Sequence, residues 1–112
     1  MDKKSLKQRL DAVNFISNNG RVLRTINILR YQYNELKSVQ AVLEEEGIET
    51  WEFLDCVNYL TEEGYIRLRE ITSKNPVQEL SQDVKYKTLE AKLTAKGIRL
   101  LAGGIKDDLV EV

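Results

Sequence analysis

The spacing of apolar residues changes period at Gly64, and that change constrains the chain more than any other feature. From Trp51 to Glu63, Phe53, Leu54, Val57 and Leu60 recur close to one helical turn apart, which predicts a helix stopped by Gly64. From Tyr65 to Ile71 the period becomes two: Ile66 and Leu68 point one way, Arg67 and Arg69 the other, as in a strand with one wet face. Tyr86 to Leu93 repeats the alternation, with Leu89, Ala91 and Leu93 set against Thr88, Glu90 and Lys92. The two strands pair as an antiparallel hairpin in which opposite charges meet across the solvent face. A helix passing directly into a hairpin leaves few architectures for 112 residues, a length that predicts one domain with its own core.

Upstream the period is helical throughout. Leu6, Leu10, Val13 and Ile16 line one face of a helix from Ser5 to Ser17, and Asn18-Asn19-Gly20 carries residues that tolerate the left-handed conformation closing a helix. A second helix is predicted from Val22 to Tyr33, with Val22, Ile26, Leu29 and Tyr33 inward. A third begins near Asn34, with Leu36, Val39, Val42 and Leu43 as its stripe, Gly47 as its left-handed terminus and Ile48 folding back. Thr50 is the expected cap of the helix that follows, and so short a Gly-containing turn between helices makes a helix-turn-helix.

The hairpin loop, Thr72 to Lys85, is polar, and Asn75-Pro76 followed by Gln78 predicts a turn of helix within it. After the second strand Thr94 caps a short helix bearing Ile98, Leu100 and Leu101 and ending at Gly103-Gly104. Residues 105–112 show no period and are expected to form an extended arm. The domain reading is therefore 1–20 as an N-terminal amphipathic helix, 21–104 as the folded domain and 105–112 as the arm.

Composition narrows the chemistry. The chain has no histidine, which removes the usual general base and the usual zinc ligand together. No Gly-rich phosphate loop, metal-ligand cluster or nucleophile with an adjacent base occurs, so the expectation is a protein that is not an enzyme and takes no metal or cofactor. Consecutive Glu44, Glu45 and Glu46 spread around a helix and do not converge on a cation. The single cysteine, Cys56, has no internal partner and sits among acids that raise a thiol pKa, which marks it as inert or partly exposed rather than reactive. With no signal-peptide pattern or membrane-length apolar run, a reducing, cytoplasmic location is expected.

Net charge is -1 at neutral pH and conceals a strong polarity. Residues 1–30 carry seven basic and two acidic side chains, residues 31–64 one and nine, and residues 65–112 nine and seven. The middle of the chain is an acidic block between basic ends.

Two motifs carry a family resemblance. Leu60-Thr61-Glu62-Glu63-Gly64-Tyr65-Ile66 resembles the step from recognition helix to first wing strand in winged helix-turn-helix proteins, and Leu93-Thr94-Ala95-Lys96-Gly97-Ile98 resembles the end of the same domain. Over Val22 to Gly103 the chain is similar to small winged-helix regulators of bacteria and prophages. The resemblance implies a mainly α fold with a small antiparallel hairpin, here with an extra N-terminal helix. It also implies that Trp51–Glu63 enters a major groove and that Thr72–Lys85 is the wing. From Glu49 to Glu63, however, five carboxylates and no cation face any approaching phosphate.

Two functions follow. The first is a DNA-binding transcriptional regulator or mobile-element accessory protein. Its candidate contacts are Lys4, Lys7, Arg9, Arg21, Arg24, Asn58, Tyr59, Arg67, Arg69, Lys74, Lys85 and Lys87, with Lys3 and Lys92 adding charge, while Glu79 and Asp83 offset the wing lysines. The second is a protein-interaction module presenting Glu44, Glu45, Glu49, Glu52 and Asp55 to a basic partner. In both, the first helix and the arm are expected to form a homodimer. The expected discriminator is that replacing Lys4, Lys7 and Arg9 weakens retention on duplex DNA more than replacing Glu52 and Asp55.

Overall fold

The computed structural model describes residues 3–81 and 85–112. Among them, four α-helices accompany a four-stranded antiparallel sheet: α1 (Lys3–Asn27), β1 (Asn34–Glu35), α2 (Leu36–Glu45), α3 (Thr50–Glu62), β2 (Ile66–Glu70), β3 (Pro76–Val77), β4 (Leu89–Leu93) and α4 (Ala95–Leu101). The strand order is β1-β4-β2-β3. Ile66 and Leu68 of β2 pair with Leu93 and Ala91 of β4, which places all four on the inner face of the sheet. There they join Val22, Leu23, Ile26, Leu36, Leu43, Phe53, Val57 and Leu60 in one core.

The hairpin has the expected inward residues but different limits. Tyr86–Thr88 form a 3-10 turn, so the second strand starts at Leu89. Pro76–Val77 is a strand, not the expected helical turn, and pairs with β2 as Leu68↔Val77 and Arg69↔Pro76. Proline has no N–H to give a ladder, and a short edge strand is where that loss is tolerated. Lys74 at φ 63° turns the chain back to make this pairing.

The largest departure is α1. The break expected at Asn18-Asn19-Gly20 does not exist: these residues lie buried in the middle of one 25-residue helix. Asn18 Nδ2 donates to Glu52 Oε2 at 3.2 Å, and Asn19 Nδ2 donates to the Leu109 carbonyl at 2.9 Å. Glycine within a helix costs about 1 kcal/mol, against roughly 1.5–3 kcal/mol for each of the buried Val22, Leu23 and Ile26 side chains. Burial therefore outweighs propensity, and the chain has no separate N-terminal helix. The real stop is supplied by Asn34, whose Nδ2 faces the carbonyls of Ile26, Leu29 and Gln32 at 3.4, 3.4 and 3.2 Å. Helix thus ends at Asn27, not Tyr33, and leaves Leu29 half exposed.

Other boundaries move less. Asn34–Glu35 is strand β1, paired with β4, so α2 starts at Leu36. Within α2, Leu36, Val39 and Leu43 are buried as expected, but Val42 is 50% exposed. Gly47 has φ 90°, and Ile48 folds back so that its N–H donates to the Leu43 carbonyl. The cap of α3 is Glu49, not Thr50: the Glu49 N–H donates to Glu52 Oε1 at 3.0 Å in a capping box. Thr94 caps α4 as expected, its Oγ1 accepting from the Gly97 N–H at 3.1 Å.

The two sequence motifs clasp each other. Thr94 donates its N–H to the Tyr65 carbonyl and its hydroxyl to the Gly64 carbonyl, while Lys96 Nζ reaches the Glu63 carbonyl at 2.8 Å. The end of α3 is thereby locked to the start of α4.

Residues 105–112 are not a free arm. Val110 is 5% exposed, Glu111 donates its N–H to the Ile16 carbonyl, and Arg24 Nη1 donates to the Glu111 carbonyl at 2.8 Å. Asp107 Oδ2 accepts from the phenols of Tyr59 and Tyr65, each at 2.7 Å. Burial pushes the Asp107 carboxyl up, but these two bonds and the Leu109 N–H outweigh it and hold it below its ordinary value of 3.8. A lowered folded-state pKa stabilises above the unfolded value and ceases to do so as pH falls through the folded one. The thermal midpoint of the native chain is therefore expected to fall on going from pH 7 to below about pH 4, and Asp107→Asn to fall less. Equal falls in the two proteins would refute this role for Asp107.

Candidate functional site

The outer face of the sheet gathers positive charge. Register places Arg67 opposite Lys92 and Arg69 opposite Glu90. Glu90 is 7% exposed and holds Arg69 Nε at 2.6 Å and Lys74 Nζ at 3.3 Å. Burial raises the Glu90 carboxyl, but hydrogen bonds from Arg69 and Lys74 pull it below the usual carboxylate range. One carboxylate thus serves two cations. The Arg69 guanidinium also lies 3.6 Å from the Tyr33 ring centre, with Lys92 Nζ at 5.9 Å. Both cations thus lie within reach of the negative face of one ring.

Arg67 and Lys92 have no ion pair among the described residues. Like charges directly opposite each other weaken a strand pair by a few tenths of a kcal/mol, so this pairing is a cost that the Lys92 contact with Tyr33 only partly offsets. Beside them, Tyr33, Arg67, Gln78, Thr94 and Lys96 line an open cleft of about 540 Å³ between β2–β3 and the start of α4. The surface brings together cations, an aromatic ring and a concave wall.

The helix expected to meet DNA is the opposite in character. Along the solvent side of α3 lie Trp51, Asp55, Asn58 and Glu62, with no cation among them. Trp51 is 56% exposed, and its Nε1 donates to Glu49 Oε2 at 2.6 Å. Tyr59 is committed to Asp107, leaving Asn58 as the member of that pair without a partner among the described residues. Cys56 is fully buried, and burial, then Asp55 and Glu52, push its thiol up to about 12, so it is inert.

The other expected contacts divide into three groups. Lys4, Lys7 and Arg9 stand exposed on the first turns of α1. Arg21 and Arg24 are used internally: Arg21 pairs with Glu46 at 3.2 Å, and Arg24 holds the C-terminal segment. Lys85 and Lys87 are exposed at the far end of the hairpin, while Asp83 lies outside the described residues. Of the acidic set, Glu44 accepts from Gln40, Glu49 and Glu52 form the cap of α3, and Glu45 and Asp55 are exposed.

Sequence reasoning did not single out Tyr33 or Lys96, and it counted Glu90 only as a solvent-face residue. Arg69 and Glu90 sit on wet positions of their strands, so their pairing was legible once the register was known. Tyr33 was read as part of a helix face, and nothing local revealed the sheet it covers.

Among the described residues no cluster of metal-ligating side chains is present, and no helix is long and apolar enough to cross a membrane. The chain matches no known protein family, no curated protein and no solved structure.

Proposed function

We propose that the chain is a non-enzymatic duplex-DNA-binding protein with a winged-helix arrangement, of the kind used by transcriptional regulators and accessory proteins of prophages and mobile elements. It holds phosphate with the outer face of its sheet. The order α1-β1-α2-α3-β2-β4, with β1 against β4 and a long loop between β2 and β4, supports the arrangement. The observation that carries the binding mode is the Arg67–Lys92 cross-strand couple, without an ion pair among the described residues, beside the Tyr33 cleft. Acidic α3 is excluded from a major groove by the phosphates lining it, so docking runs through the sheet and wing, and α3 faces away.

The test is retention of a duplex followed by fluorescence anisotropy across a salt series. Arg67→Ala with Lys92→Ala is expected to flatten the salt dependence by about two phosphate contacts, roughly 1.8 in slope, and to weaken binding about equally on unrelated sequences. Glu52→Gln with Asp55→Asn is expected to leave it unchanged or tighten it. Binding that ignores salt, or ignores the Arg67–Lys92 change, would overturn this reading and favour a protein-interaction module.

A further inference from the structure

The apolar face of α1 changes side part-way along the helix. In its C-terminal half Val22, Leu23 and Ile26 are 0% exposed, whereas Leu6, Leu10 and Val13 in its N-terminal half are 53%, 57% and 63% exposed. At 3.6 residues per turn, the second set points about 160° away from the first. A helix with one apolar stripe per half is built to be covered twice, and this chain's own core covers only one stripe.

On the inner side of the same N-terminal half lies a groove of about 280 Å³ between α1 and the start of α3. Phe15, Ala12 and the exposed Trp51 form its apolar wall, and Asp11, Glu52 and Asp55 its rim. Glu52 is held by the cap of α3 and by Asn18, whereas Asp11 and Asp55 have no partner among the described residues. The groove therefore suits an amphipathic helix with an apolar stripe flanked by cations. The exposed stripe is such a helix: Lys3, Lys7 and Arg9 border Leu6, Leu10 and Val13.

We propose that copies of this chain associate head to tail, the N-terminal half of α1 of one copy lying in the α1–α3 groove of the next. Pairing stripe to stripe in a two-fold dimer would bring the basic borders of both helices together. Seating the stripe in the groove sets those cations against Asp11, Glu52 and Asp55. The exchange is not mutual, because Val13 and Phe15 lie about 160° apart on the helix, and one helix would have to turn both sides to the same neighbour. A one-way contact continues from copy to copy and ends only by closing a ring.

Sedimentation velocity without DNA tests this, separately from the DNA-binding reading. The full chain at tens of micromolar is expected to form species larger than a dimer, and these dissociate as salt is raised. A stripe variant, Leu6→Asp with Leu10→Asp, and a groove variant, Trp51→Ala with Asp55→Lys, alter exposed side chains and should keep native circular dichroism. Each alone is expected to be monomeric, and an equimolar mixture to form a heterodimer and nothing larger, one partner supplying the groove and the other the stripe. A native chain that stays monomeric or stops at a dimer, a groove variant that still self-associates, or a mixture that stays monomeric would each overturn the proposal.

Discussion

Gly97→Ala is expected to destabilise the protein by about 3 kcal/mol and to lower its thermal midpoint by roughly 10–15 °C. Helix propensity favours the substitution by about 1 kcal/mol, so a stabilised variant is the outcome expected from local rules. The environment reverses the sign. A Cβ at Gly97 would lie 2.2 Å from the Tyr65 carbonyl oxygen and 2.7 Å from Leu93 Cδ2. Neither neighbour yields easily: the Tyr65 oxygen accepts from the Thr94 N–H, and Leu93 is buried at the end of β4 against Ile66. Relief requires α4 to tilt away, which opens the Thr94 and Lys96 bonds to Gly64 and Glu63. Denaturant unfolding checks the magnitude, and a midpoint at or above the native one would refute the close approach.

Gly20→Ala is expected to cost roughly 3–4 kcal/mol net, through the C-terminal segment rather than the helix. The added Cβ would lie 1.7 Å from the Glu111 carbonyl oxygen, so residues 109–112 must leave α1. That forfeits the burial of Val110 and the bonds from Arg24, Asn19 and the Glu111 N–H. At roughly 1 kcal/mol per hydrogen bond and about 1.5 kcal/mol for the valine, the loss exceeds the helix-propensity gain of about 1 kcal/mol. The variant should be trimmed by carboxypeptidase under conditions in which the native chain is not, while Asp107 still anchors the preceding turn. Equal resistance in the two proteins would show that the segment does not rest on Gly20.

These two glycines show what a single strand of text conceals. Gly97 is recognisable as part of a Thr-x-Lys-Gly motif, but its reason, a carbonyl thirty-two residues earlier in the chain, is not local. Gly20 reads as a helix stop because Asn-Asn-Gly ends helices wherever no other force acts. The partner that makes it helical is the last turn of the chain, ninety-one residues away. The candidate anion surface divides in the same way. Arg67, Arg69, Glu90 and Lys92 were visible as wet positions of alternating strands, whereas Tyr33 beneath Arg69 was read as a helix face.

By itself the sequence determined the elements whose period is strong and whose partners are near: α3, the paired β2 and β4, α4 behind its Thr94 cap, and the turn at Gly47. Local spacing decides these, since burying one face of each needs only that the others exist. Tertiary structure alone decided that α1 runs unbroken, that residues 105–112 fold onto it, and that Pro76–Val77 adds a strand. For α1 and residues 105–112 a contact distant in sequence contributes more free energy than the local preference it overrides, and for Pro76–Val77 the pairing with β2 outweighs the helix-start signal. It decided too that Leu6, Leu10 and Val13 remain outside: their periodicity announces an apolar face, but only the packed molecule shows that its own core has none left to meet it.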